Sequence, residues 1–118
     1  MYRRVALLLG CVLVAGALQI AWAHAILVAS TPKVNASVKG PTLAVLLRFN
    51  VRIDNRRSRL RLIIPGGSEI GLAVAQQSTP DTLASVATGL NPGGYRLVWQ
   101  VLASDGHMSQ GEVPFTVN

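Results

Sequence analysis

Two histidines and one aspartate carry most of the chemistry open to this chain of 118 residues. His24 stands in "AWAHAILVAS", where a long apolar run meets the first alternating segment, and His107 stands in "ASDGHMSQGEVPF", two positions after Asp105. If Asp105-Gly106-His107 is extended, the carboxylate and the imidazole point to one side, about 6.5 to 7 Å apart along the strand. Gly106 between them lets the backbone bend or approach another chain closely. One carboxylate and one imidazole make half a metal site. His24 supplies the other half once the chain is cut just before it. Its α-amine and ring Nδ1 then close a chelate ring on one ion, and an α-amine gives up its proton readily, its ordinary pKa being about 7.7 to 8.0.

With His107 the set reaches three nitrogens, and Asp105 adds an oxygen. Such donors in a plane suit Cu(II), which prefers tetragonal N,O coordination and outranks the other first-row divalent ions. Zinc accepts the same donors but prefers a tetrahedron. Taken singly, the parts are commonplace: an Asp-Gly pair is more often a turn than a ligand, and a lone histidine is more often structural. The coincidence with a cleavable His24 lifts them. The expectation is one Cu(II) per chain, held by His24, Asp105 and His107.

The cut itself is legible. Residues 1–23, MYRRVALLLGCVLVAGALQIAWA, begin with Arg3 and Arg4, run apolar from Val5 into Ala21, and close on Ala21-Trp22-Ala23, an A-x-A cleavage site. That is the anatomy of a secretory signal peptide. An uncleaved membrane anchor is the competing reading, because the run approaches the roughly 20 apolar residues needed to span a bilayer; the cleavage pattern breaks the tie. Leu8-Leu9-Gly10-Cys11 faintly resembles a lipobox, but the apolar run before Cys11 is too short and equally apolar sequence follows it. Processing leaves one domain, residues 24–118, and removes the only cysteine. Export implies an oxidising compartment, so the domain relies on a core without a disulfide, and a soft-metal site must use His, Met or carboxylate.

The formal net charge is +6, of which Arg3 and Arg4 leave with the leader. The remaining basic residues cluster in "RFNVRIDNRRSRLRL", which holds Arg48, Arg52, Arg56, Arg57, Arg59 and Arg61. A basic cluster invites a nucleic-acid reading. The leader argues against it, and so does the alternation of Arg59 and Arg61 with Leu60 and Leu62, which marks the wet face of a strand. A solvated face is the expectation, no nucleic acid is expected as a partner, and contact with anionic lipid or lipopolysaccharide is the residual alternative.

Elements able to position the three residues are strands throughout. "TLAVLLRF" puts Leu43, Val45, Leu47 and Phe49 on one face, "RLRLII" does so with Leu60, Leu62 and Ile64, and "YRLVWQV" with Tyr95, Leu97, Trp99 and Val101. Period two of this kind marks half-buried strands. Turn signals separate the runs, among them Lys39-Gly40-Pro41, Pro65-Gly66-Gly67 and Asn91-Pro92-Gly93-Gly94. The spacing predicts seven strands, over 24–30, 42–49, 59–64, 70–75, 82–87, 94–102 and 111–117, in an all-β antiparallel sandwich or barrel. Trp99 and Tyr95 read as core. Met108 lies on the face opposite His107 in an extended segment and reads as packing or exposed. Asn35-Ala36-Ser37 matches a glycosylation sequon, a pattern frequent by chance. Ser104 and Ser109 lack the constellation a nucleophile needs.

Residues 24–118 also resemble the CopC family of periplasmic copper-binding proteins. The likeness rests on "HAILVASTP" at the start, "LLRFN" in the second predicted strand, "GGYRLVWQVLASDGH" leading into the site, and "GEVPFTVN" at the end. It implies a seven-stranded Greek-key β-barrel or sandwich of Ig-like or cupredoxin-like kind, and a Cu(II) site at His24, through amine and imidazole, Asp105 and His107. It further implies a monomeric periplasmic carrier or buffer in copper homeostasis and resistance, which hands copper to an inner-membrane importer or sequesters it. Some members have a methionine-rich loop that binds Cu(I). Here the corresponding "IIPGGSEIGLAVAQQ" has neither Met nor His, and Met108 stands where the family usually has proline.

A second class of function is a small copper oxidase resembling the lytic polysaccharide monooxygenases, which also begin with a metal-binding histidine. Against it stand the small size of the domain and the carboxylate, which fills a coordination position that oxygen chemistry needs open. The expectation is therefore a binding protein and not an enzyme.

Overall fold

The computed structural model describes residues 24–118; the signal peptide expected over residues 1–23 lies outside the described residues. Eight strands follow one another: β1 (Leu27–Thr31), β2 (Ala36–Val38), β3 (Leu43–Phe49), β4 (Ile53–Ile63), β5 (Glu69–Leu72), β6 (Thr82–Ala87), β7 (Gly93–Ala103) and β8 (Met108–Val117). They form a three-stranded sheet in the order β1-β3-β6 and a five-stranded sheet in the order β2-β8-β7-β4-β5. The all-β, two-sheet reading holds, with eight strands in place of the seven predicted.

Alternation builds the core. Every second residue of β3 is buried and every other one exposed, because successive side chains of a strand point to opposite faces. Leu43, Val45, Leu47 and Phe49 from the small sheet meet Leu60, Leu62, Leu97, Trp99, Val101 and Val113 from the large one in a single cluster. Phe49 and Trp99 close the gap between the sheets edge to face, with ring centroids 5.1 Å apart at 69°, a geometry aromatic quadrupoles favour. Tyr95 is buried as expected, stacks on Phe115, and donates its hydroxyl to the Asn91 carbonyl at 2.7 Å.

Strand β1 starts at Leu27 and leaves His24 outside it, β5 stops at Leu72 and β8 starts at Met108, each three positions from the predicted bound, and two features depart further. The added strand, β2, runs parallel to the end of β8, pairing Ala36 with Phe115 and Val38 with Val117; three residues show no alternation from which to read it. Strand β4 starts at Ile53, six positions earlier than expected, because it carries a bulge. Asp54 pairs with Leu102 and Arg59 with Gln100, so the residues between them stand opposite Val101 alone. Side chains hold this detour in place: Asp54 Oδ1 accepts from the Arg56 N–H at 3.0 Å, and the Ser58 hydroxyl donates to the Asp54 carbonyl at 2.6 Å.

The β7–β8 hairpin carries the predicted site, and its packing has a tight point. A Cβ at Gly111 would lie 2.8 Å from Cε2 of Trp99, which rests against this backbone. Gly111→Ala is expected to destabilise the fold by about 1–3 kcal/mol, as other overpacked cores do. Urea denaturation at constant m-value measures it, and an unchanged midpoint would show that the indole moves aside freely.

Candidate metal centre

The segment that links β7 to β8 is a turn and not the extended stretch expected from Asp105-Gly106-His107. Gly106 sits at φ +92°, in the left-handed region that favours glycine. Its N–H donates to the Ala103 carbonyl at 2.9 Å, and the Ala103 N–H donates to the His107 carbonyl at 2.8 Å. The turn brings carboxylate and imidazole closer than a strand would. Asp105 Oδ1 accepts from the His107 N–H at 3.1 Å, and Asp105 Oδ2 lies 2.9 Å from His107 Nδ1. An aspartate that hydrogen-bonds backbone two residues on is a known way of building such turns.

This contact fixes the ring. With Nδ1 against the carboxylate, Nε2 is the nitrogen left to face a metal, the ring orientation that a carboxylate partner imposes on a ligating histidine. The His107 N–H, and next its side chain, hold the Asp105 carboxyl below its ordinary value of 3.8. A depressed carboxylate stabilises the turn above pH 3.8 and ceases to do so as the pH falls through the lowered value.

His24 arrives from the other sheet. Its neighbours fasten it: the Ala25 N–H donates to Ser109 Oγ at 3.0 Å, the Ile26 N–H donates to Asn50 Oδ1 at 2.7 Å, and the Asn50 N–H donates back to the Ile26 carbonyl at 3.0 Å. Ala25 is buried in the core while His24 is exposed. Its ring lies beside that of His107, centroids 5.9 Å apart at 66°. Residues 83 positions apart in sequence thus meet at one end of the sandwich.

The structure brings His24 to His107 and Asp105 to His107; it does not gather the three around one point. Among the described residues no group of three or more His, Cys, Asp or Glu side chains is arranged to hold a metal. Physically this follows from Asp105, whose two oxygens both face His107. Met108 opens β8 opposite Leu102 and is exposed, in keeping with its reading as packing or exposed. Sequence reasoning missed Ser109 and Asn50. Ser109 drew notice only as a nucleophile without a base, and nothing local marks either residue as a partner of the segment after His24.

A CopC domain profile matches residues 27–118. The chain belongs to the CopC family. The matched span contains Asp105 and His107 and begins beyond His24. Copper resistance protein C of Xanthomonas campestris pv. juglandis is 32% identical over 105 residues, covering 82% of each chain. Protein YobA of Escherichia coli K12 is 30% identical over 99 residues, 81% of this chain and 80% of that one. Among solved structures, CopC from Methylosinus trichosporium OB3b superposes with a TM-score of 0.75 at 29% identity, covering 80% of this chain and 94% of its own. PcoC from Escherichia coli, described as a methionine-rich copper resistance protein, gives 0.67 at 26% identity, with 81% and 100% covered. The fold expected from the resemblance is the fold found. This member has two methionines, Met1 and Met108, and so departs from the methionine-rich character of PcoC.

Proposed function

We propose that the processed chain, beginning at His24, is a periplasmic Cu(II)-binding protein that carries or buffers copper in copper homeostasis and resistance. One ion binds per chain. The His24 amine and imidazole and the His107 imidazole supply nitrogens, and Asp105 supplies an oxygen by turning from His107. The observation that carries this reading is the approach of the His24 and His107 rings to 5.9 Å, from opposite ends of the chain and with both side chains exposed. One of the three nitrogens is a free amine, which His24 gains only when the peptide bond to Ala23 is cut. We further propose that the protein acts as a monomer and passes copper to an inner-membrane importer. The relatives named for copper resistance support the copper-binding role.

Calorimetric titration in buffers of different ionisation enthalpy tests the donors. One Cu(II) is expected per chain, with net proton release at pH 7 and affinity falling steeply toward pH 5, because the ion competes with protons for each nitrogen. A proton count of zero at pH 7 would exclude the amine and imidazoles as ligands.

A further inference from the structure

The chain has five acidic residues, and each is engaged close to home. Glu69 pairs with Arg61 at 3.4 Å and Glu112 with Arg96 at 3.1 Å. Asp81 accepts from the Thr79 hydroxyl, Asp105 faces His107, and Asp54 accepts from the Arg56 and Arg57 N–H groups, with its Oδ2 3.8 Å from Arg57 Nε. Arg48, Arg52, Arg56 and Arg59 are left without a carboxylate partner among the described residues, and all four are exposed.

Arg52 and Arg56, with Arg57, sit on and around the β4 bulge, where the alternation that explains Arg59 and Arg61 does not apply. Every other polar side chain of the bulge is turned to holding it. Asp54 caps its N–H groups, Ser58 bonds the Asp54 carbonyl, and Asn55 Nδ2 donates to the Ala75 carbonyl at 3.1 Å. Bulges re-aim side chains and are built features of a sheet; this one displays arginines. It also adjoins the metal site. The Arg52 carbonyl accepts from the N–H of Ser104, the residue before Asp105, at 3.0 Å, and Asp54 pairs with Leu102. Ile26 and Met108, each near a histidine in sequence, are 60% and 45% exposed.

Resting on the copper-binding reading, we propose that the Arg52–Arg59 bulge is a docking surface for a carboxylate-rich face of the protein that receives the copper. Charge complementarity argues for such an occupant, since Arg52, Arg56 and Arg59 crowd here with no carboxylate paired to them among the described residues. The residue types narrow it to a protein. Arginine and methionine are enriched at protein interfaces and lysine depleted, and a guanidinium matches a carboxylate through two parallel hydrogen bonds. An anionic bilayer rewards lysine as much as arginine. A partner seated on the bulge would hold its own ligands against the exposed His24 and His107.

The test uses the chain beginning at His24 and an acetylated oligoglutamate peptide, followed by amide chemical shifts. Expected are shifts confined to residues 52–59 and 104–107, weakening with salt. R52S/R56S should lower peptide affinity by about tenfold, and R52K/R56K, which keeps the charge, by about threefold. Shifts spread over the whole surface, equal binding by the lysine variant, or preference for phosphatidylglycerol vesicles over the peptide would each overturn the proposal. Cu(II) affinity measured on the same samples separates the two ideas. It should be unchanged in both variants, and a wild-type chain that binds peptide but no Cu(II) would refute the copper reading on its own.

Discussion

A chain beginning at His24 is expected to bind Cu(II) more than about 100-fold more tightly than one that retains Ala21-Trp22-Ala23, since losing a partner that merely supports a ligand already costs about 10–100-fold. Extension turns the His24 amine into an amide, whose nitrogen holds its proton and has no lone pair to give. It also removes the chelate ring in which one residue contributes two donors at the entropic cost of ordering one. The imidazole stays where it was. Its position depends on the Ala25–Ser109 and Ile26–Asn50 bonds, which lie on the far side of His24 from the added residues. A competition titration of both forms against one chelator makes the comparison, with thermal unfolding to verify that both are folded. Equal affinities would rule out the amine as a donor and leave only the paired imidazoles.

How much of this was legible follows from how local each feature is. Strand β3 and strand β7 declare themselves, because a strand with one face in the core must alternate, and Leu43 to Phe49 and Tyr95 to Val101 do. The bulge in β4 does not, because Asp54 and Ser58 replace ladder bonds with side-chain bonds in a stretch whose residue types look merely polar. Strand β2 exists only because the end of β8 lies alongside it. The site divides the same way. Its residue types were readable, and Asp-Gly carried its own turn signal, yet the extended reading missed that a glycine at φ +92° folds Asp105 back onto the His107 N–H. The seat of His24 needs Asn50 and Ser109, which are brought to it by the sheets and by no spacing in the sequence.

His107→Ala is expected to lower Cu(II) affinity by more than about 100-fold, with Asp105→Asn costing about 10–100-fold and Met108→Ala less than about threefold. The ranking follows from what each side chain offers. His107 presents a free ring nitrogen beside His24, and no other imidazole exists in the chain to replace it. Asparagine at 105 keeps an oxygen for the His107 N–H, so the turn persists, but it loses the anionic charge that favours both a cation and the orientation of Nδ1. With Asp105 in the coordination sphere its loss should fall at the upper end of that range, and a loss at the lower end would show that it only orients the ring. Met108 is exposed, and a thioether is softer than Cu(II) prefers. Stability should barely change in any of the three variants, because the turn is exposed and the core lies elsewhere, so the losses report binding and not unfolding. Electron paramagnetic resonance of the copper-loaded proteins reads the donors directly: His107→Ala must lose one coupled nitrogen while Met108→Ala keeps them all. Unchanged nitrogen coupling in the His107 variant would remove that residue from the site and with it the significance of the 5.9 Å approach between the two rings.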